Sequence, residues 1–442
     1  MNSITTHSAS GTAVALRQAL VARQTTARQI AQSLIERIER LEPSLHAWKA
    51  FEPGAVLRQA DTIDQALAAG TPLGLLAGLP VGVKDLFDTA DLPTGYGSAL
   101  YDGHRPKSDA DAVQRARAAG AVIMGKTVST EFAYFTPGPT ANPWNAAHTP
   151  GGSSSGSAAA VACGMVPLAF GSQTAGSIIR PASYCGVFGL KPTFGLFDIG
   201  GAKPFAPSLD TLGWFARTAD DLELMRCALA GAPFEPLSTT PPAALRLLSC
   251  RTPQWGASDT GGVQAWDRAH RHFEDAGVRL QPATLDAALD GLFDAQKRVM
   301  AFEAARSLAP ELRQHPDRLG EPLKQLMAIG QGITEDEHRQ ALDLARARRA
   351  QVIEGMGDAD AVLAPAATGE APPGLGATGD PMFSRIWTLL GLPCVNVPGL
   401  LGPQGLPIGM QLVGRLNGER RLLEVARSLQ ALLPDAGNLQ QR

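Results

Sequence analysis

The 442-residue sequence predicts an α/β fold, a β-sheet covered by helices on both faces. Three observations lead there. Short apolar runs (LPVGVKD from Leu79, AVIMGK from Ala121, MVPLAFGS from Met165) are bounded by Gly and Pro and lack the alternation of a strand with one wet face. Elsewhere Ile30, Ala31, Leu34, Ile35, Ile38 and Leu41 recur at helical spacing. Hydrophobic residues make up 44% and charged residues 18%, enough apolar surface to fill a large core.

Taken in order, Thr25 and Thr26 offer a cap to the first amphipathic helix, and Pro43 is expected to end it. The opening MNSITTHSAS lacks the positive patch and apolar stretch of a signal peptide. No run of about 18 apolar residues occurs, so no membrane span and a cytoplasmic location are expected. The strand texture begins at Gly78, and DAVQRARAAG (111–120) between two of the runs reads as a helix. PFEPLSTTPPAA (233–244) reads as a surface connector, LRLLSC (245–250) as a strand, and 261–277 and 285–356 as a charged, peripheral helical layer over the site. VLAPAA (362–367), CVNVPGL (394–400) and GMQLVG (409–414) return to strand texture before a final helix over about 418–433.

A formal charge of -3 provides neither a basic stripe nor an acidic tail, which argues against a nucleic-acid partner. Cys163, Cys185, Cys227, Cys250 and Cys394 are odd in number and never in a CxxC pair, so reduced, mostly buried thiols are expected. The eight histidines, at 7, 46, 104, 148, 270, 272, 315 and 338, lack metal-ligand spacing apart from the surface pair His270 and His272.

Three motifs compete for the chemistry. Gly120 to Thr127 spells a Walker A loop ending in Lys126, but the four residues between its glycines are apolar and read as the strand itself. Phosphates need exposed backbone N–H groups there. Gly152-Ser153-Ser154-Ser155-Gly156 spells the nucleophile elbow of α/β-hydrolases, with Ser154 as nucleophile, yet no histidine follows His338 to serve as base. The third motif is longer. GGSSSGSAAAVACGMVPLAFGSQTAGSIIRPASYCGVFGLKPTFG, from Gly151, combines a Gly/Ser loop, a small-residue helix, a second Gly/Ser turn and an exit marked by Pro and Lys.

This segment resembles the signature of the amidase signature family. The resemblance extends to LAGLPVGVKD, GAVIMGKT, the NPWN turn at 142–145 and WTLLGLPCVNVPGLLGPQGLPIGMQLVGR, and covers about residues 10 to 430, most weakly over 235–355. It implies one domain over 1–442 built on a large mixed, twisted sheet. The signature core would span about 70–230, a divergent helical layer about 255–356, and the rest of the core about 360–433.

By motif position the family's catalytic lysine, cis-peptide serine and nucleophile fall on Lys84, Ser153 and Ser177. A serine hydroxyl needs a base, and a lysine amine can serve if burial brings its pKa down toward neutrality. Val81, Val83, Leu86 and Phe87 provide apolar surroundings, while adjacent Asp85 opposes the shift unless it points elsewhere. Ser153 would relay the proton, a hydroxyl being both donor and acceptor. The backbone N–H groups of Thr174, Ala175, Gly176 and Ser177 would form the oxyanion hole. Gly152 and Ser154 would support the loop, and Arg180 and Lys191 would pin the signature turns.

The commoner family pattern has Asp-Thr-Gly-Gly-Ser with an arginine two places past the serine. Here Gln173 and Ala175 replace two of those residues, and the arginine stands three places past, at Arg180. Phe132, Tyr134 and Phe135, in TEFAYFTPG, suggest an apolar or aromatic pocket or, equally, core. The resemblance implies a serine amidohydrolase that cleaves an aryl or aliphatic amide or a carbamate through an acyl-enzyme, with urethanase or esterase side activity, acting as monomer or homodimer without metal or cofactor. Its alternatives are the glutaminase subunit of a tRNA-dependent amidotransferase and a catalytically silent binding homologue.

Overall fold

Thr26 caps the helix Ala27–Leu45 by accepting a hydrogen bond from the Gln29 backbone while the Gln29 side chain accepts one from Thr26, a complete capping box. Pro43 does not end this helix. It sits inside the last turn, on a stretch where Glu39 and Arg40 are exposed and water can satisfy the carbonyl whose partner is lost. The stop comes at His46, whose left-handed φ of 53° breaks the helical path. The computed structural model describes residues 11–72 and 74–434. The opening decapeptide and His7 lie outside the described residues.

The sheet collects β1 (Trp48–Phe51), β2 (Pro80–Lys84), β3 (Val122–Thr127), β4 (Leu168–Gln173), β5 (Phe188–Lys191), β6 (Thr211–Ala216), β7 (Arg246–Ser249), β8 (Arg279–Pro282), β9 (Ala361–Pro365), β10 (Cys394–Leu401) and β11 (Pro407–Val413). Their spatial order is β1-β3-β2-β4-β6-β5-β10-β11-β9-β7-β8. The sheet is mixed as expected: β2 runs parallel to β3 and β4, and β7 parallel to β8 and β9, while the pairs through the centre are antiparallel. Every residue of β2, β3, β4, β9 and β11 is buried, which is why those runs read as continuous apolar stretches. The edge strands β1 and β8 are four residues each, too short to announce themselves, and β8 is largely exposed.

Helices cover the central strands. The small-residue helix Ser155–Ala162 packs on β2, β3 and β4, and its closeness explains the elbow-like spelling. A Cβ on Gly156 would lie 2.2 Å from the carbonyl oxygen of Ala47 and 2.4 Å from the nitrogen of Val128, so that glycine serves packing. Gly125, of the Walker-like run, allows a similar approach, with the carbonyl oxygen of Ala50 only 2.4 Å from where a Cβ would stand. Lys126 is fully buried and donates to the carbonyl of Phe87 and to Thr94 Oγ1 (2.7 Å), tying down the loop after β2.

The 285–356 segment divides into Asp286–Leu289, Leu292–Ser307, Ala309–Gln314, Glu321–Gln331 and Glu335–Gly355. The layer is peripheral only in part. Leu292–Ser307 is buried along most of its length between the two following long helices and the helix Met382–Leu389. It therefore brings side chains of the divergent region to the centre of the molecule. Among the described residues no helix is long and apolar enough to cross a membrane.

Candidate active site

Parallel pairing of β2 with β4 sets the carboxyl ends of both strands at the same edge of the sheet, the place where open α/β sheets leave a crevice. Lys84 is the last residue of β2 and is fully buried. Its Nζ donates to Ser153 Oγ and to Ser172 Oγ, each at 2.8 Å. Burial draws its pKa down to about 7, against an upward pull from Asp210.

Asp85 does point elsewhere. Its carboxylate accepts from the backbone N–H groups of Gly95 and Gly97 and lies 3.8 Å from Lys126, so it opposes the shift of the wrong lysine. The acid that acts on Lys84 is Asp210, which sequence reading missed. Asp210 accepts from Thr174 Oγ1 (2.5 Å) and from the N–H groups of Phe205 and Ala206, and burial raises its carboxyl above the ordinary range.

The peptide bond between Gly152 and Ser153 is cis. Arg180 clamps it: Nη2 donates to the Gly152 carbonyl at 2.6 Å and to Thr378 Oγ1 at 3.1 Å, while Nη1 donates to the Gly379 carbonyl at 2.8 Å. Ser154 exchanges hydrogen bonds with both backbone groups of Ser172, which joins the loop to β4. It is fully buried, unlike the exposed serine an elbow requires. Lys191 is also buried, donating to the carbonyl of Pro192.

The turn Thr174 to Ser177 follows β4 directly, and its surroundings hold its carbonyls away. Gln296 Nε2 donates to the Thr174 carbonyl (3.0 Å) and Thr388 Oγ1 to that of Ala175 (2.8 Å). Gln173 Oε1 accepts from the N–H groups of Ile178 and Ile179, and its amide donates to Thr388 Oγ1. An aspartate could accept those bonds but not donate to Thr388, and it would add a charge near Lys84. Among the described residues the N–H groups of Ala175, Gly176 and Ser177 have no protein acceptor.

Ser153 and Ser177 line one pocket, together with Thr174, Ala175, Tyr134, Phe135, Arg180, Phe205, Met300, Pro381 and Arg385. No direct hydrogen bond joins the two serines among the described residues. Tyr134 and Phe135 thus reach the pocket, whereas Phe132 does not: it is buried, edge-on to Tyr101. Phe132 and Ala133 both hold left-handed backbone (φ 45° and 61°), a strained corner that turns the following aromatics toward the cavity. That corner has no sequence signature. Phe205, Met300 and Arg385 were also missed, although an arginine between Phe383 and Trp387 in an otherwise uncharged helix is a readable signal.

Gly176 supplies a direct test of this wall. A Cβ there would stand 2.7 Å from Pro381 Cβ and 3.2 Å from Ser384 Cβ, both at the start of a packed helix. Gly176→Ala is expected to shift the turn and lower kcat by about a hundredfold, the usual consequence of misplacing a reacting group by about 1 Å. Steady-state kinetics with a fold check by circular dichroism would reveal it.

The amidase family model matches residues 29–423. The glutamyl-tRNA(Gln) amidotransferase A-subunit of Cyanothece sp. is 32% identical, over 95% of this chain and 97% of the relative. A solved amidase structure superposes with a TM-score of 0.86 at 27% identity, covering 96% of this chain and all of the other. The peptide amidase of Stenotrophomonas maltophilia has a TM-score of 0.80 at 27% identity, covering 95% of this chain and 96% of the other. The chain belongs to the amidase family and is a hydrolase of the kind that acts on C–N bonds.

Proposed function

We propose that the protein is a serine amidohydrolase that opens an amide or carbamate carbonyl by acyl transfer to Ser177, with Lys84 as base through Ser153. The observation that carries this reading is a buried lysine with a pKa near 7, hydrogen-bonded at 2.8 Å to a serine that shares one cavity with Ser177. In its neutral form Lys84 keeps an N–H for Ser172 and offers its lone pair to the Ser153 proton. Ser153, relieved of that proton, takes the one on Ser177 across the cavity as Ser177 Oγ attacks the carbonyl. The tetrahedral oxyanion is received by N–H groups of the 174–177 turn, whose carbonyls are tied elsewhere. The proton returns to the leaving nitrogen, and water then releases the acyl group by the same relay.

An active-site-serine phosphonate probe tests the assignment: wild type is expected to be labelled and Ser177→Ala not. Equal labelling of both would refute Ser177 as nucleophile. Screening anilides, primary amides and aryl carbamates with Ser177→Ala as blank separates amide from carbamate cleavage. Similarity to a component of glutamyl-tRNA(Gln) amidotransferases favours a second reading, a glutaminase that works within a complex. Ammonia release from glutamine only when partner proteins of that complex are added would select it.

A further inference from the structure

Two guanidinium groups line the cavity, and they are used very differently. Arg180 gives its terminal nitrogens to two backbone carbonyls and a threonine hydroxyl, all parts of the loop it clamps. Arg385 is 6% exposed, yet its one conventional hydrogen bond runs from Nη1 to Gln296 Oε1 (2.7 Å), with Met300 Sδ at 4.0 Å. Its Nε is buried without a hydrogen-bond partner, as is that of Arg180, and its Cζ lies 5.7 Å from the centre of the Phe293 ring. Among the described residues it forms no ion pair. Asp380 acts on Arg180 and Arg385 only from a distance, and Asp210 sits bonded to Thr174 and two backbone N–H groups.

Burying a guanidinium without a counter-ion is costly, and a core position there would be filled better by an apolar side chain. The groups left over on Arg385 are Nε–H and Nη2, the edge of the fork that binds a carboxylate through two parallel hydrogen bonds. Its placement is also held. Arg385 stands on the helix Met382–Leu389, where Pro381 and Ser384 back Gly176 and Thr388 bonds Ala175, and its partner Gln296 bonds Thr174. The same helix therefore positions both the turn bearing Ser177 and the unpaired cation.

We propose that Arg385 reads an anion, and that the substrate is a small amide that also carries a carboxylate near the scissile carbonyl. This rests on the amidohydrolase reading and narrows its substrate class. The aromatic and thioether lining by Tyr134, Phe135, Phe205 and Met300 encloses the short carbon chain between the two polar ends and strengthens the ion pair by excluding water.

The full-length protein can be assayed with straight-chain monoamides of four- to six-carbon diacids and with the matching ω-hydroxy amides. Wild type is expected to favour the acid amides by about a hundredfold or more in kcat/KM, as sites built around a buried donor do. In Arg385→Met that preference should fall below about tenfold, because KM rises more for the acid amides than for the hydroxy amides. Arg385→Lys should recover part of it. Equal wild-type rates on acid and hydroxy amides, with Ser177 still labelled, would overturn the anion site and leave the amidohydrolase reading standing. Failure of wild type to label at Ser177 would overturn both. The wild-type comparison decides even if Arg385→Met does not fold.

Discussion

Ser177→Ala is expected to lower kcat on any amide or carbamate substrate by roughly 10⁴- to 10⁶-fold, the range found when a serine nucleophile is removed and only the oxyanion donors and binding remain. The loss should be almost wholly kinetic. Ser177 Oγ makes no hydrogen bond to protein among the described residues, so its removal should change stability by no more than about 0.5 kcal/mol. Stopped-time assays over long incubations, paired with a thermal melt, measure both quantities. A tenfold loss or less would exclude acyl transfer to this residue. Ser154→Ala provides the contrast: it breaks the bonds to Ser172 at about 1 kcal/mol of stability and should still label at Ser177. A Ser154→Ala protein that folds but does not label would revive the elbow reading.

Lys84→Ala is expected to reduce kcat by about 10²- to 10⁴-fold, the contribution of a well-placed general base. The pH profile carries the sharper signature. Because burial holds the Lys84 pKa near 7, activity should be absent well below pH 7, half-developed near 7 and level above it. The profile follows the neutral amine, so the rise is toward alkaline pH, and Lys84→Ala should lose it. The same shift has a linked effect on stability. Between about 7 and the ordinary lysine value of 10.5 the unfolded chain binds the proton and the folded one does not, so this group's contribution to stability rises with pH across that window. Wild-type rates retained in Lys84→Ala would refute the relay.

Burial accounts for part of what was legible in the fold, though β5 and β6 are buried throughout and were not read as strands. β2, β3, β4, β9, β10 and β11 are buried on both faces, so most of their residues are apolar and the runs stand out in sequence. β1 and β8 escape because edge strands are short and half wet. Pro43 misled because a proline near a helix end removes one hydrogen bond that water can replace.

For the site, the resemblance to the family signature singled out Lys84, Ser153 and Ser177 as candidates, and these sit at a strand end, in a small-residue loop and in a tight turn that the fold brings to one pocket. It also told against Lys126 and Ser154, whose spellings lacked the flanking elements their chemistry needs. Folding alone could decide what surrounds them. Asp210 reaches Thr174 across 36 residues, Gln296 reaches it across 122, and Arg385 meets Gln296 across 89, distances over which no local pattern survives. Asp85 was judged by its neighbour in the chain, whereas its field falls on Lys126 because successive side chains at a strand end turn to opposite sides. Electrostatics and pocket shape are sums over such remote contacts, so the proposed nucleophile could be picked out in the sequence while the arginine proposed to receive an anion became visible only in three dimensions.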